Sequence, residues 1–229
     1  MFLYQIFLMD NDILLGVLIL FAYISALLLS MTFHEFAHAH AAKMEGDHTA
    51  KALGRYTLAP LAHVDIKGII FLVLFGYGWA KPVPIDPRNF RNGKVSALKV
   101  YSAGVITNII VGVVSAMLHA LFTVVVPVVY TGTGYYGIAL NYFLESMILL
   151  NFIFAFFNLL PFYSFDGYRI IETFTKPYNK FVDFMRKYSF MLLLLFVFTG
   201  IMSMYVSYIP VNLANLVIEG FKKLFGLFI

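Results

Sequence analysis

Two histidines and a glutamate lie within five residues of the chain, in the stretch Phe33-His34-Glu35-Phe36-Ala37-His38. On a helix, side chains four apart share a face, so His34 and His38 can direct their imidazoles at one ion. Glu35 follows His34 directly and by spacing is not a ligand. This is the spacing of a zinc site with a carboxylate general base, and its chemistry is hydrolysis by an activated water.

The setting of these residues is apolar. Residues 14–31 carry no charge and lead straight into the motif. The whole chain of 229 residues is 61% hydrophobic and only 12% charged, with a mean hydropathy of +0.84. That charge content is about half of what a soluble domain carries. A polytopic membrane protein is the class this composition allows. There is no cysteine, which removes disulfides, thiolate ligands and cysteine nucleophiles together. A metal here must be held by His, Asp or Glu. The net charge of +4 does not call for a nucleic-acid partner, because Lys and Arg also set the orientation of membrane spans. The segment from residue 13 lacks a basic region ahead of it and reads as a retained span rather than a cleaved signal.

The elements that must position the motif follow from the apolar runs. A first span is expected over residues 13–44, stopped near Gly46. A second is expected over 100–129 and a third over 138–160, ending at Pro161. A fourth is expected over 189–209, broken by Pro210. Residues 211–229 read as an amphipathic segment at the interface or tucked into the bundle. Residues 68–80 are apolar but too short to cross a bilayer, which takes about 20 residues in a helix. The expected fold is therefore all-α. It is a bundle of about four to six transmembrane helices, with a short re-entrant or β-hairpin segment near 66–84. It forms a single integral-membrane domain over 1–229, with a catalytic core over about 13–170 and C-terminal helices over 188–229.

Charge sets the topology. Residues 43–99 hold nine of the sixteen basic residues, and 169–187 hold five more. The glycine-rich turn at 131–137 holds none. The positive-inside rule puts both basic segments in the cytoplasm, so His34 and His38 lie near the cytoplasmic end of their span. A third ligand must reach that depth. Asp166 does, since it follows the third span closely, between the helix breaker Pro161 and the turn residue Gly167. Asp65 is the rival, but it stands in a polar segment where a solvated Asp needs no explanation. Intramembrane carboxylates are functional by default, which favours Asp166. Of the other histidines, His63 reads as hydrogen-bonded structure and His119 as remote from the chemistry. Asn108 can pair helices through its amide.

At this point the chain resembles a known family, the site-2 proteases, which are intramembrane zinc metalloproteases. It looks like their compact bacterial form without a PDZ accessory domain. The motifs that carry the resemblance run in order over residues 31–169. They are His34-Glu35-Phe36-Ala37-His38, Gly54-Arg55 through Pro60 to His63 and Asp65, Gly78-Trp79-Ala80-Lys81-Pro82-Val83-Pro84, Ala103-Gly104 with Asn108, and Asn158-Leu-Leu-Pro161 with Asp166-Gly167. The resemblance implies one catalytic zinc on His34, His38 and Asp166, with Glu35 activating the water. It also implies a substrate or oxyanion role for Asn158, and Asn108 is a second candidate for such a role. The substrate class it implies is a transmembrane protein or peptide, cut within or near its membrane segment in the lipid bilayer of the cell membrane. A membrane zinc carrier, or a homologue that binds membrane proteins without cutting them, are the competing readings.

Overall fold

A computed structural model describes residues 12–75, 78–130, 134–176 and 178–227. The described residues are helical and contain no strand. The long elements are α1 (Ile13–Met44), α4 (Lys94–Val125), α6 (Tyr135–Asn158), α8 (Lys180–Phe198) and α9 (Ile201–Gly226). Short helices lie between them: α2 (Thr49–Ala52), α3 (Ile66–Phe75), α5 (Pro127–Tyr130) and α7 (Asp166–Phe174). Four helices, α1, α4, α6 and α9, are long and apolar enough to cross a membrane, which marks a multi-pass membrane protein. Residues 1–11 and the first part of the 131–137 turn lie outside the described residues.

Local chemistry sets the ends of α1. Asp12 Oδ1 accepts the N–H groups of Leu14 and Leu15, which have no partner inside the first turn. At the other end Gly46 takes a left-handed φ of +106°. Its N–H closes on the Lys43 carbonyl while the Asp47 N–H closes on Ala42, the paired bonds of a glycine-terminated helix.

The fourth span is displaced from its expected position. Pro210 does not end a helix but lies inside α9. The break falls at Gly200, whose φ of +76° is open to glycine at no steric cost. Proline is tolerated inside membrane helices when neighbouring groups take up the freed carbonyl. The crossing element is thus Ile201–Gly226 rather than residues 189–209, and it absorbs most of the segment expected at the interface. Near 66–84, of the two forms expected, the described residues show no β-hairpin: α3 ends at Phe75, and from residue 78 the chain has no strand pairing.

The described chain divides into two compact units. One comprises Met1–Ser30, Ile109–Ile153 and Tyr208–Ile229. Its core gathers Ala116, Ile148, Phe152 and Ala214, and Gly112 lets a helix backbone approach the Phe152 ring. Two of its buried polar groups bond to each other, with Asn151 Nδ2 donating to Ser30 Oγ at 2.7 Å. The other unit comprises Met31–Asn108 and Phe154–Ser207 and holds every residue expected to carry chemistry.

In this second unit the polar connection after α1 is organised on Asp47, which is only 1% exposed. Its carboxylate accepts from the Thr49 backbone N–H (3.0 Å), the Asn89 amide (3.0 Å) and the Asp86 backbone N–H (2.8 Å). Burial works against its charge. The hydrogen bonds from Thr49, Asn89 and Asp86 outweigh that and hold the carboxyl below its ordinary value. A carboxyl lowered in the folded state adds stability above its unfolded value of 3.8, and that stability is lost as the pH falls through the lower folded value. Asp47→Ala is expected to lower stability at neutral pH by roughly 2–3 kcal/mol, since the donors of Thr49, Asn89 and Asp86 lose a charged partner. Thermal melting in detergent, followed from about pH 5 downward, checks both the loss and its sign.

Candidate metal centre

His34, Glu35 and His38 sit on the buried side of α1, at 7%, 7% and 5% exposure. The two imidazoles face each other through Nε2, 3.1 Å apart. Asp166 brings its Oδ2 to 3.4 Å from His34 Nε2 and 3.2 Å from His38 Nε2. The three residues expected as ligands are thus brought together, with one candidate ligand atom from each lying within 4.8 Å of the others.

What aims each imidazole is its other nitrogen. His38 Nδ1 is 2.8 Å from the carbonyl oxygen of Val100. A carbonyl only accepts, so Nδ1 carries the proton and Nε2 presents a lone pair. His34 Nδ1 is 2.5 Å from Asn108 Oδ1 and is held in the same tautomer. Asn108 therefore serves α4 as the partner of a histidine. Asp166 Oδ2 is buried with no hydrogen-bond partner. Two imidazole nitrogens and a carboxylate oxygen thus converge on one buried point, an arrangement that a cation at that point would satisfy. Two nitrogens and one oxygen, with no sulfur, suit a catalytic zinc that keeps a position open for water.

Gly104 on α4 leaves the room that such an ion needs. A Cβ there would lie 2.4 Å from His38 Nε2 and 2.7 Å from His34 Nε2. Those distances are little longer than a zinc–nitrogen bond of about 2.0–2.1 Å. A side chain would fill the cradle between the rings.

Asp166 is delivered by the loop that leaves α6. Pro161 cannot continue the helix, and the chain turns through Ser164 at a φ of +80°. Phe165 precedes α7 in an extended conformation, so Asp166 opens that helix. Gly167 packs on the end of α6 so tightly that a Cβ would meet the Leu159 carbonyl oxygen at 2.2 Å. The Asp-Gly pair therefore couples a ligand to the residue that lets its loop close.

Glu35 does not join the cluster. Its Oε2 accepts the backbone N–H of Val83 at 2.7 Å. Asn158, the other polar candidate, donates its amide back to the Phe154 carbonyl at 3.0 Å, along its own helix. The rival ligand Asp65 is occupied elsewhere, accepting the Gly68 N–H at the start of α3. His63 is buried and bonds the Thr57 carbonyl through Nε2. The Val100 carbonyl and the Val83 amide are contributions that side-chain reasoning misses, because a backbone group has no letter in the sequence.

A comparison with known proteins finds one from Bacillus subtilis (strain 168) named "Putative zinc metalloprotease YwhC". It is 37% identical to this chain over 155 residues, which cover 66% of this chain and 68% of that protein. No protein-family profile matches the chain. No solved structure matches it either.

Gly104→Ala is expected to push the imidazoles apart and to strip the purified protein of metal. Asn108→Ala, which frees the His34 ring, is expected to weaken metal affinity by about 10–100-fold. Metal content after purification and competition with a chelating dye measure both. Wild-type affinity in the two variants would mean that the cluster is not the metal site.

Proposed function

The chain belongs to the family of that Bacillus protein, and from the metalloprotease name it carries we propose that this chain is an intramembrane protease of the site-2 type, hydrolysing peptide bonds in or near the transmembrane segments of other membrane proteins. The observation that carries the reading is a buried His-His-Asp cluster with a second carboxylate, Glu35, beside its two histidines on a helix apolar enough to span. Hydrolysis needs a base next to the metal-bound water, and Glu35 is placed to supply it. The family resemblance adds the site-2 type, and the basic segments at 43–99 and 169–187 favour a cell-membrane protein whose site opens near the cytoplasmic face.

His34, His38 and Asp166 would hold one zinc ion. When bound, zinc lowers the pKa of water towards about 7 and polarises the substrate carbonyl. Glu35 accepts the proton of the attacking water as it adds to the peptide carbon. Glu35 then returns a proton to the amine nitrogen as the C–N bond breaks, so that one carboxylate serves as base and then as acid. An oxyanion role for the Asn158 amide rests on the family resemblance. Asn108 and the Val100 carbonyl keep the two imidazoles in the ligating tautomer. A substrate helix hides its amides in its own hydrogen bonds, so it must unwind locally before the carbonyl can be attacked.

Glu35→Gln keeps the shape of the site but cannot take up a proton. Cleavage of a panel of single-span membrane peptides is expected to fall by at least about 100-fold, with zinc content unchanged. Proteolysis at the wild-type rate in this variant would overturn the mechanism. Zinc uptake into vesicles by a variant that cuts nothing would favour a carrier. The same variant, bound to its membrane substrate, is the means to capture and name that substrate.

A further inference from the structure

Glu35 needs more than proximity to act as a base: one of its oxygens must point at the water. The chain that meets it is Lys81-Pro82-Val83-Pro84. Proline has no N–H, so Val83 is the single amide donor over residues 82–84. Pro84 also restricts Val83 to extended backbone, which turns its N–H sideways out of the strap. That one donor is spent on Glu35 Oε2, at 2.7 Å.

The strap is held on both sides of this contact. Upstream, the Lys81 N–H donates to the His63 carbonyl at 2.9 Å. Arg55 Nη2 donates to the carbonyls of Lys81 (2.7 Å) and Pro82 (3.3 Å). Downstream, the Asp86 N–H is fixed on Asp47. The Val83 side chain packs with Ala39 and Ala50, and Ala39 lies one turn beyond Glu35 on α1. The amide is thus fixed by anchors other than the bond it makes.

We infer that Val83 is a positioning residue for Glu35: its backbone N–H pins Oε2, which leaves Oε1 to exchange the proton with water. This rests on the reading of Glu35 as the general base. The two prolines fit the same task. With no competing N–H on either side, the carboxylate has one donor to find and one orientation to adopt. Arg55 contributes at a distance, by holding the two carbonyls that precede Val83.

Two substitutions separate positioning from packing. Val83→Ala shortens the side chain and keeps the N–H, while Val83→Pro removes the N–H and keeps the extended backbone. Val83→Pro is expected to lower kcat for a membrane peptide about tenfold or more, with KM and zinc content unchanged. Val83→Ala is expected to stay within about twofold of wild type, because the bond to Glu35 survives. Equal kcat in the two variants would overturn the inference.

Hydrogen exchange gives a readout that needs no activity. Between Pro82 and Pro84 the only exchangeable amide is that of Val83. It is expected to be protected in the wild type and to exchange about tenfold faster or more in Glu35→Ala, with the neighbouring amides of Lys81 and Ile85 unchanged. Unchanged exchange at Val83, or a rise along the whole strap, would overturn the inference. Should Val83→Pro lose zinc or fail to fold, the exchange measurement decides alone. Cleavage by Glu35→Gln, in contrast, would remove the base assignment whatever Val83 does, so the two failures are distinguishable.

Discussion

Three lone pairs aimed at one point are the constraint on which the second unit depends. His34 Nε2, His38 Nε2 and Asp166 Oδ2 converge in a buried setting, and Asp166 Oδ2 has no hydrogen-bond partner there. Each would turn towards a separate partner if it were free to. None is free. The imidazoles are held from behind by Asn108 and by the Val100 carbonyl. The carboxylate is held by a loop that closes only because position 167 has no side chain. The fold keeps an unfavourable arrangement in place and so keeps it ready for a cation.

The irregular chain around the site obeys a stricter rule than a surface loop does. Away from water, each unpaired backbone N–H costs about as much as a lost hydrogen bond. Proline meets that demand by removing donors. Pro60, Pro82, Pro84 and Pro161 all lie in the connections that surround the cluster. Five of the donors that remain are paired: Lys81 with His63, Val83 with Glu35, Asp86 with Asp47, Tyr163 with the Ser189 hydroxyl and Phe165 with Phe162. The same prolines that read as helix breakers in the sequence are thus the means by which non-helical chain is tolerated at the site.

How much of this could be read beforehand depended on whether the feature has a side chain and a period. The apolar runs located α1, α4 and α6 to within a few residues, and the four-residue spacing put His34 and His38 together. Asp166 was legible because a breaker before it and a glycine after it isolate one carboxylate at the right depth. The last span lies at 201–226 rather than 189–209 because Gly200, and not Pro210, marks the break between helices. A lone proline kinks a long helix where a glycine in the left-handed region ends one. The form of residues 66–84 was open because short apolar runs suit a helix and a strand alike. The Val83 amide and the Val100 carbonyl had no signal except the prolines beside the first. Gly104 was visible only as part of a motif, and its reason is a distance that no spacing rule contains.

Charge explains the choice of partners behind the ligands. Zinc-bound histidines in water-soluble proteins often rest on a carboxylate, which raises their basicity. Here the acceptors are an amide oxygen and a backbone carbonyl, both neutral. Two neutral imidazoles, the carboxylates of Asp166 and Glu35 and one divalent cation sum to zero. A carboxylate in place of Asn108 would leave a surplus negative charge in a segment that excludes water, where an uncompensated charge is expensive. Asn108 therefore orients His34 without disturbing that balance. On this argument the neutral second layer is a consequence of putting hydrolytic chemistry on an apolar helix.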